Sequence, residues 1–173
     1  MANSLWQRLR RIARHRWWDE RDAARVLPAA ALARLAARVA ASEQGHSGEI
    51  RVCVEAGLPL SYLWRGLSAR SRAITLFGKL RVWDTAQNNG VLIYLLLAEH
   101  AIEIVADRGL ADVVPQAQWL QLMDPMRASF RRGDFEQGLN QAIEAIDARL
   151  ASHFGVAPDQ GNPDELPNRP VLI

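Results

Sequence analysis

The stretch Gly90-Val91-Leu92-Ile93-Tyr94-Leu95-Leu96-Leu97-Ala98 decides the fold. It holds no charge, and its apolar residues fall at odd and even positions alike. A strand of that kind is covered on both faces and sits in the middle of a sheet. After Glu99-His100 comes Ala101–Ala106, in which Ile102 and Ile104 alternate with Glu103 and Val105. The two runs read as an antiparallel hairpin. Upstream, Glu49–Glu55 also alternates, with Ile50, Val52 and Val54 on one side and Arg51, Cys53 and Glu55 on the other. Between these strands Leu60, Leu63, Trp64, Leu67, Ile74 and Phe77 recur at helical spacing, which predicts a helix over 61–77. Such a link is long enough for a right-handed parallel crossover.

Further out, Pro28 opens a helix lined by Leu32, Leu35, Ala36 and Val39, which the run Gln44–Gly48 breaks. Pro115 opens another, carrying Trp119, Leu122, Met123, Met126 and Phe130, and Pro125 is expected to kink or split it. Asp134 reads as the N-cap of a last helix marked by Leu139, Ile143, Ile146 and Leu150, which Gly155 closes. The expected fold class is therefore α/β: a mixed β-sheet sandwiched between helices over residues 27–155. Residues 1–26 form an arm with Leu5, Leu9, Ile12 and Ala13 on one helical face, arginines around it, and Trp6, Trp17 and Trp18 framing it. Residues 156–173 are rich in Pro, Asn and Asp and read as an extended tail ending in Val171-Leu172-Ile173.

The formal net charge of +2 conceals an asymmetry. Residues 1–40 carry nine arginines and three acids, a formal +6, while the remainder carries twelve cations and sixteen acids, a formal −4. A basic arm ahead of an acidic body suits an anionic partner. Arg8, Arg10, Arg11, Arg14, Arg16 and Trp17 are the candidate contacts with such a surface. No apolar run reaches the ~18 residues of a membrane span, and no apolar segment follows the early arginines as in a secretory signal. The cytoplasm is the expected location, with peripheral contact at the inner membrane. Cys53 is the one cysteine, which excludes an internal disulfide and a thiolate metal cluster.

No nucleophile elbow, phosphate loop or nucleic-acid signature appears, and His15, His46, His100 and His153 lack metal-ligand spacing. One constellation follows from topology. With the first two strands parallel and the third returning, Glu49, Asp84, Asn88, Asn89 and Asp107 are expected at one end of the sheet. Carboxylate and amide oxygens of this kind suit a hard cation, calcium before zinc, with His46 as the nearby nitrogen. The competing reading makes Asn88-Asn89-Gly90 a turn, Asp84 a cap and Asp107 a partner of Arg81 or Arg108.

The segments Ser47-Gly48-Glu49-Ile50-Arg51-Val52, Asn88-Asn89-Gly90-Val91-Leu92-Ile93-Tyr94 and Glu103-Ile104-Val105-Ala106-Asp107-Arg108-Gly109-Leu110 resemble the TPM-domain family. Thr75-Leu76-Phe77 adds to the likeness, which runs from about residue 28 to 155. The resemblance implies a mixed sheet with helices on both sides. It also implies a range of roles: a thylakoid-lumen member with acid phosphatase activity and a part in photosystem repair, members that bind calcium in an acidic cleft, and many membrane-anchored members. This chain departs from the fuller pattern. Where those members show G-x-G-L-E and then an Asp, it has Asp107-Arg108-Gly109-Leu110-Ala111 and then Pro115-Gln116. It looks like a short bacterial form.

Three readings follow. The leading one is a non-enzymatic interaction module with a protein partner, at or near the cytoplasmic membrane surface. The second is a divalent-metal-dependent, acid-phosphatase-like hydrolase with calcium as its cofactor. The third, a nucleic-acid binder using the arginine arm, is weakest because the body is acidic.

Overall fold

The computed structural model describes residues 2–157 and 163–173. The chain runs α1 (Ala2–Arg16), α2 (Glu20–Val26), α3 (Ala29–Ser42), β1 (Ile50–Glu55), α4 (Leu60–Trp64), α5 (Ala69–Lys79), β2 (Val91–Leu96), a 3-10 turn (Leu97–Glu99) and β3 (Ala101–Ala106). It continues through α6 (Arg108–Ala111), α7 (Gln116–Arg131), α8 (Phe135–Phe154) and β4 (Val171–Leu172). The sheet order is β3-β2-β1-β4, with β1 parallel to β2 and β4 and β3 antiparallel to β2.

All six residues of β1 and all six of β2 are buried. Their alternate side chains feed two separate cores. Ile50, Val52, Val54, Val91, Ile93 and Leu95 pack with residues of α2, α3, α7 and α8. Cys53, Leu92, Tyr94 and Leu96 pack with residues of α4 and α5 and with Leu166. The mixed sheet between helices, preceded by a basic amphipathic helix, is thus the architecture of the chain.

Local differences have local causes. The stretch 61–77 is two helices rather than one. Gly66 sits at φ +66°, where a non-glycine residue is strained, and the Ser68 hydroxyl accepts from the Ser71 N–H to start α5. Pro125 does not split α7, which runs through it from Gln116 to Arg131 with Pro125 exposed. Asp134 stands at the N-cap position of α8 but makes no capping bond; its carboxylate accepts from Arg132. The hairpin turn is a 3-10 turn closed by His100 in the left-handed region at φ 48°. The tail supplies a fourth strand. Ile173 N–H donates to the Val54 carbonyl, Ala56 N–H to the Ile173 carbonyl, and Arg51 holds the carbonyls of Pro167 and Arg169.

One polar network lies within the second core. Arg72 makes a bidentate pair with Glu55 at 2.7–3.1 Å, Tyr94 donates to Glu55 at 2.6 Å, and Arg72 stacks 5.2 Å over Tyr62. Ile93, with no exposed surface, sets the test of the central strand. Ile93→Asp is expected to prevent folding, because it buries an unpaired charge, and Ile93→Ala to cost about 2–5 kcal/mol in a denaturant titration.

Candidate functional site

Helix α1 is fastened to the body by its polar side. Arg11 Nε lies 2.6 Å and His15 Nε2 2.9 Å from the same Glu99 Oε1. Leu58 N–H donates to His15 Nδ1 at 3.0 Å, so that nitrogen is an acceptor and the ring proton sits on Nε2, facing Glu99. Gly57 admits this approach, since a Cβ there would lie 2.7 Å from the His15 carbonyl oxygen. The hydrogen bond from His15, with Arg11 beside it, pulls the Glu99 carboxyl down to about 2 against the opposing effect of burial.

The consequence is an inverted helix. At 100° per residue, Leu5, Trp6, Leu9 and Ala13 share the side opposite Arg11 and His15. They face outward: Trp6 is 74% and Leu9 47% exposed, and Trp17 just beyond the helix is 86% exposed. Ile12 alone of the expected apolar face reaches the body, packing against the second core. Arg8, Arg10, Arg14 and Arg16 are exposed around the apolar stripe, whereas Arg11 is held by Glu99. Two grooves run along this surface. One, of about 670 Å³, is lined by Trp6, Leu9 and Arg10; the other, of about 560 Å³, by Arg14, Trp17, Trp18 and Arg25. The contacting helix α4 adds exposed Leu60 and Trp64.

A second feature lies where β1 begins. Glu43, Glu49 and Asp164 bring carboxylate oxygens within 4.8 Å of one another, and they are the one such group of three among the described residues. Glu43 and Glu49 are buried. Glu43 Oε1 accepts from Ile50 N–H at 2.9 Å, and Glu49 Oε2 from Leu166 N–H at 3.1 Å. Burial pushes the Glu43 carboxyl up to about 8; the Ile50 bond opposes this, and Glu49 and Asp164 add to it. Burial raises Glu49 as well.

The sequence-derived set is distributed differently. Glu49 belongs with Glu43 and Asp164, neither of which the sequence pattern had singled out. Asp107 caps α6 through Arg108 N–H at 2.7 Å, and its other oxygen, Oδ2, is buried without a hydrogen-bond partner. Asn89 donates to Ser47 Oγ at 3.1 Å and also keeps a buried oxygen without a partner. Asn88, at φ 53°, accepts from Arg108 at 3.2 Å through Oδ1. Asp84 is exposed on the entering loop. His46 is buried, 3.3 Å from Asp147, and burial lowers its pKa. Cys53 is buried and its thiol is pushed up to about 12, the state of an inert core residue.

A four-stranded mixed sheet between helices, with this strand-end loop cluster, defines the α/β sandwich class. The chain belongs to the TPM-domain family, whose profile matches residues 21–149. The NMR structure of BA42 protein from the psychrophilic bacterium Bizionia argentinensis is similar to it, at 31% identity and a TM-score of 0.73, covering 84% of this chain and 94% of that one. No curated protein matches the chain. Membership assigns the fold, not an activity.

A depressed carboxyl contributes stability above its unfolded value and loses it as pH falls. The Glu99 clasp should therefore hold at neutral pH and fail between pH 4.5 and about 2. Glu99→Gln is expected to release α1 at neutral pH, at a cost of about 1–3 kcal/mol. Limited trypsin digestion should then cut at the α1 arginines while the body stays intact.

Proposed function

We propose that the protein is a non-enzymatic interaction module that docks on an anionic membrane surface through the outward side of α1. The observation that carries this reading is the inversion of α1. A helix clasped by its polar side, with tryptophans and leucines turned out among arginines, has the layout of an interfacial helix. No helix among the described residues is long and apolar enough to cross a membrane, so the contact proposed is peripheral. Each arginine near an anionic leaflet contributes about 1 kcal/mol, and tryptophan settles at the headgroup boundary. The cytoplasmic leaflet is the proposed surface, and a protein partner would be met there.

Vesicles of mixed phosphatidylglycerol and phosphatidylcholine should pellet the protein at low salt, and pure phosphatidylcholine should not. Trp6→Glu together with Leu9→Glu should abolish pelleting. Arg10→Gln should weaken it about fivefold, and high salt should weaken it for the parent. Equal pelleting on both vesicle types, or none on either, overturns the reading.

A second reading, a divalent-metal-dependent acid-phosphatase-like hydrolase, is supported by the carboxylate cluster. Glu43, Glu49 and Asp164 would hold a hard cation through their carboxylate oxygens, with Asn89 and Asp107 as further oxygens at the neighbouring strand ends. A bound cation would supply Lewis-acid polarisation of a phosphate. A raised carboxyl contributes stability fully below its unfolded value, near pH 4.5, and loses it as pH rises through about 8. Glu43→Gln is therefore expected to melt like the parent at pH 5 and above it at pH 9. Millimolar calcium should raise the parent's melting temperature at pH 9 and leave that of Glu43→Gln unchanged.

A further inference from the structure

Helix α1 ends at Arg16 and α2 begins at Glu20, and between them two neighbouring tryptophans diverge. Trp18 turns inward, where it packs against the first core and meets the His100 ring edge-on at 6.4 Å. Trp17 stays in solvent. Asp19 fixes the junction. Its carboxylate accepts from the Arg21 and Asp22 N–H groups while the Asp22 carboxylate accepts from the Asp19 N–H, so the chain restarts as a helix at a defined residue.

The groove of about 560 Å³ at this junction differs from the one along Trp6 and Leu9. The Trp6 groove is lined by α1 residues alone, among the described residues. The junction groove has two walls: Arg14 and Trp17 on one side, and on the other Asp22, Arg25 and Val26, which share a side of α2 at i, i+3 and i+4. Its Trp18 and Val26 also pack against the first core, so an apolar group seated there extends that core. Asp22, the one acid among its described lining residues, is engaged already: Arg25 donates to it at 2.8 Å and the Asp19 N–H at 3.1 Å. Arg14 forms no ion pair among the described residues. An apolar trough with one free guanidinium at its rim matches a molecule that has a hydrocarbon chain and an anionic head.

We infer that this groove seats one acyl chain of an anionic phospholipid, with the Arg14 guanidinium on the phosphate and the Trp17 ring against the chain. The inference rests on the membrane reading of α1 and narrows it to a single-lipid contact, since Arg14 and Trp17 belong both to the groove and to the outward surface of α1. A guanidinium offers a phosphate two parallel N–H groups, and the chain gains by leaving water. The Trp6–Leu9 stripe meets the bilayer at large, whereas the junction groove reads charge and chain together.

The probe is dihexanoyl phosphatidylglycerol, kept below its micelle concentration so that no membrane is present. It is compared with dihexanoyl phosphatidylcholine, which has the same chains and no net charge, and with glycerol phosphate, which has the head and no chain. Binding to the full chain is followed by tryptophan fluorescence and by amide and indole chemical shifts. The anionic lipid should saturate the protein, with shifts centred on residues 14–26. The zwitterionic lipid should bind about fivefold more weakly, and glycerol phosphate should give no saturable shift. Arg14→Gln should bring the anionic lipid to the level of the zwitterionic one. Trp17→Ala, at an exposed position, should weaken both lipids without lowering the melting temperature. Trp6→Ser together with Leu9→Ser should leave monomer binding unchanged. Three results overturn the inference: no saturation by monomeric lipid at millimolar concentration, shifts centred on Trp6 and Leu9, or a preference for the anionic lipid that survives in Arg14→Gln. Because the monomer assay contains no bilayer, its failure beside successful vesicle pelleting removes this inference and leaves the membrane reading. Saturation by the monomer without pelleting keeps the lipid site and overturns the wider surface reading.

Discussion

Strands β1 and β2 lie parallel and dry on both faces, and the remaining elements are arranged to keep them so. A parallel pair cannot close through a tight turn, so the chain must leave the sheet and return, and the returning segment becomes a cover. Here α4 and α5 serve one face in passing, and α3 and α8 close the other, with α7 beside them. The price of burying both faces is that Glu55 and Tyr94, which point into the second core, need partners there. Arg72 supplies them, stacked on Tyr62, so the charge is satisfied within one side-chain cluster. Breaking a buried pair costs more than the pair gains, which ties α5 to β1 as firmly as its apolar residues do.

Helix α1 obeys a different rule. The body is held mainly by apolar area, which has no direction and little dependence on pH, whereas α1 is held by Arg11 and His15 on one carboxylate, with Ile12 as its apolar contact. Such a clasp sets rotation about the helix axis, because Arg11 and His15 must both face Glu99. Packing the leucine stripe inward would have taken Leu5 and Leu9 out of solvent. The clasp instead spends the polar side on the body and leaves the stripe for another surface, and that choice is the physical basis of the membrane reading.

The sheet was legible because its signals are periodic. Nine apolar residues from 90 to 98 and strict alternation from 49 to 55 leave little freedom, and the order of β1, β2 and β3 follows from link lengths. What escaped the sequence lacks a period. The tail reads as polar and extended until Val171-Leu172 meets the edge of β1. The rotation of α1 was hidden because Glu99, more than eighty residues away, decides it. The carboxylate group was half visible. Glu49 stands out from its place at a strand start, but Glu43 is the C-cap of α3 and Asp164 lies in the tail, and only the folded chain brings them together. An Ile50 N–H that needs an acceptor beyond the ladder is the local signal that drew Glu43 inward.

That group joins the tail to the body in a way neither part discloses alone. Leu166 enters the second core with its N–H on Glu49, and Asp164, two residues earlier, brings a third acid to the same spot. Beyond it Arg51 grips the Pro167 and Arg169 carbonyls and delivers Val171 to Cys53. The tail is thus anchored at two points of opposite electrostatic character. At Arg51 the body offers a cation to backbone oxygens. At Glu43 and Glu49 the body offers two carboxyls that burial keeps protonated to higher pH, and ionising them sets like charges against Asp164. Ionisation of the cluster therefore bears on the tail at Asp164 and Leu166, while Val171 and Leu172 stay paired through the backbone of β1. The cluster meets the sheet directly at the start of β1, where the Ile50 N–H donates to Glu43 and Glu49 leads into the strand.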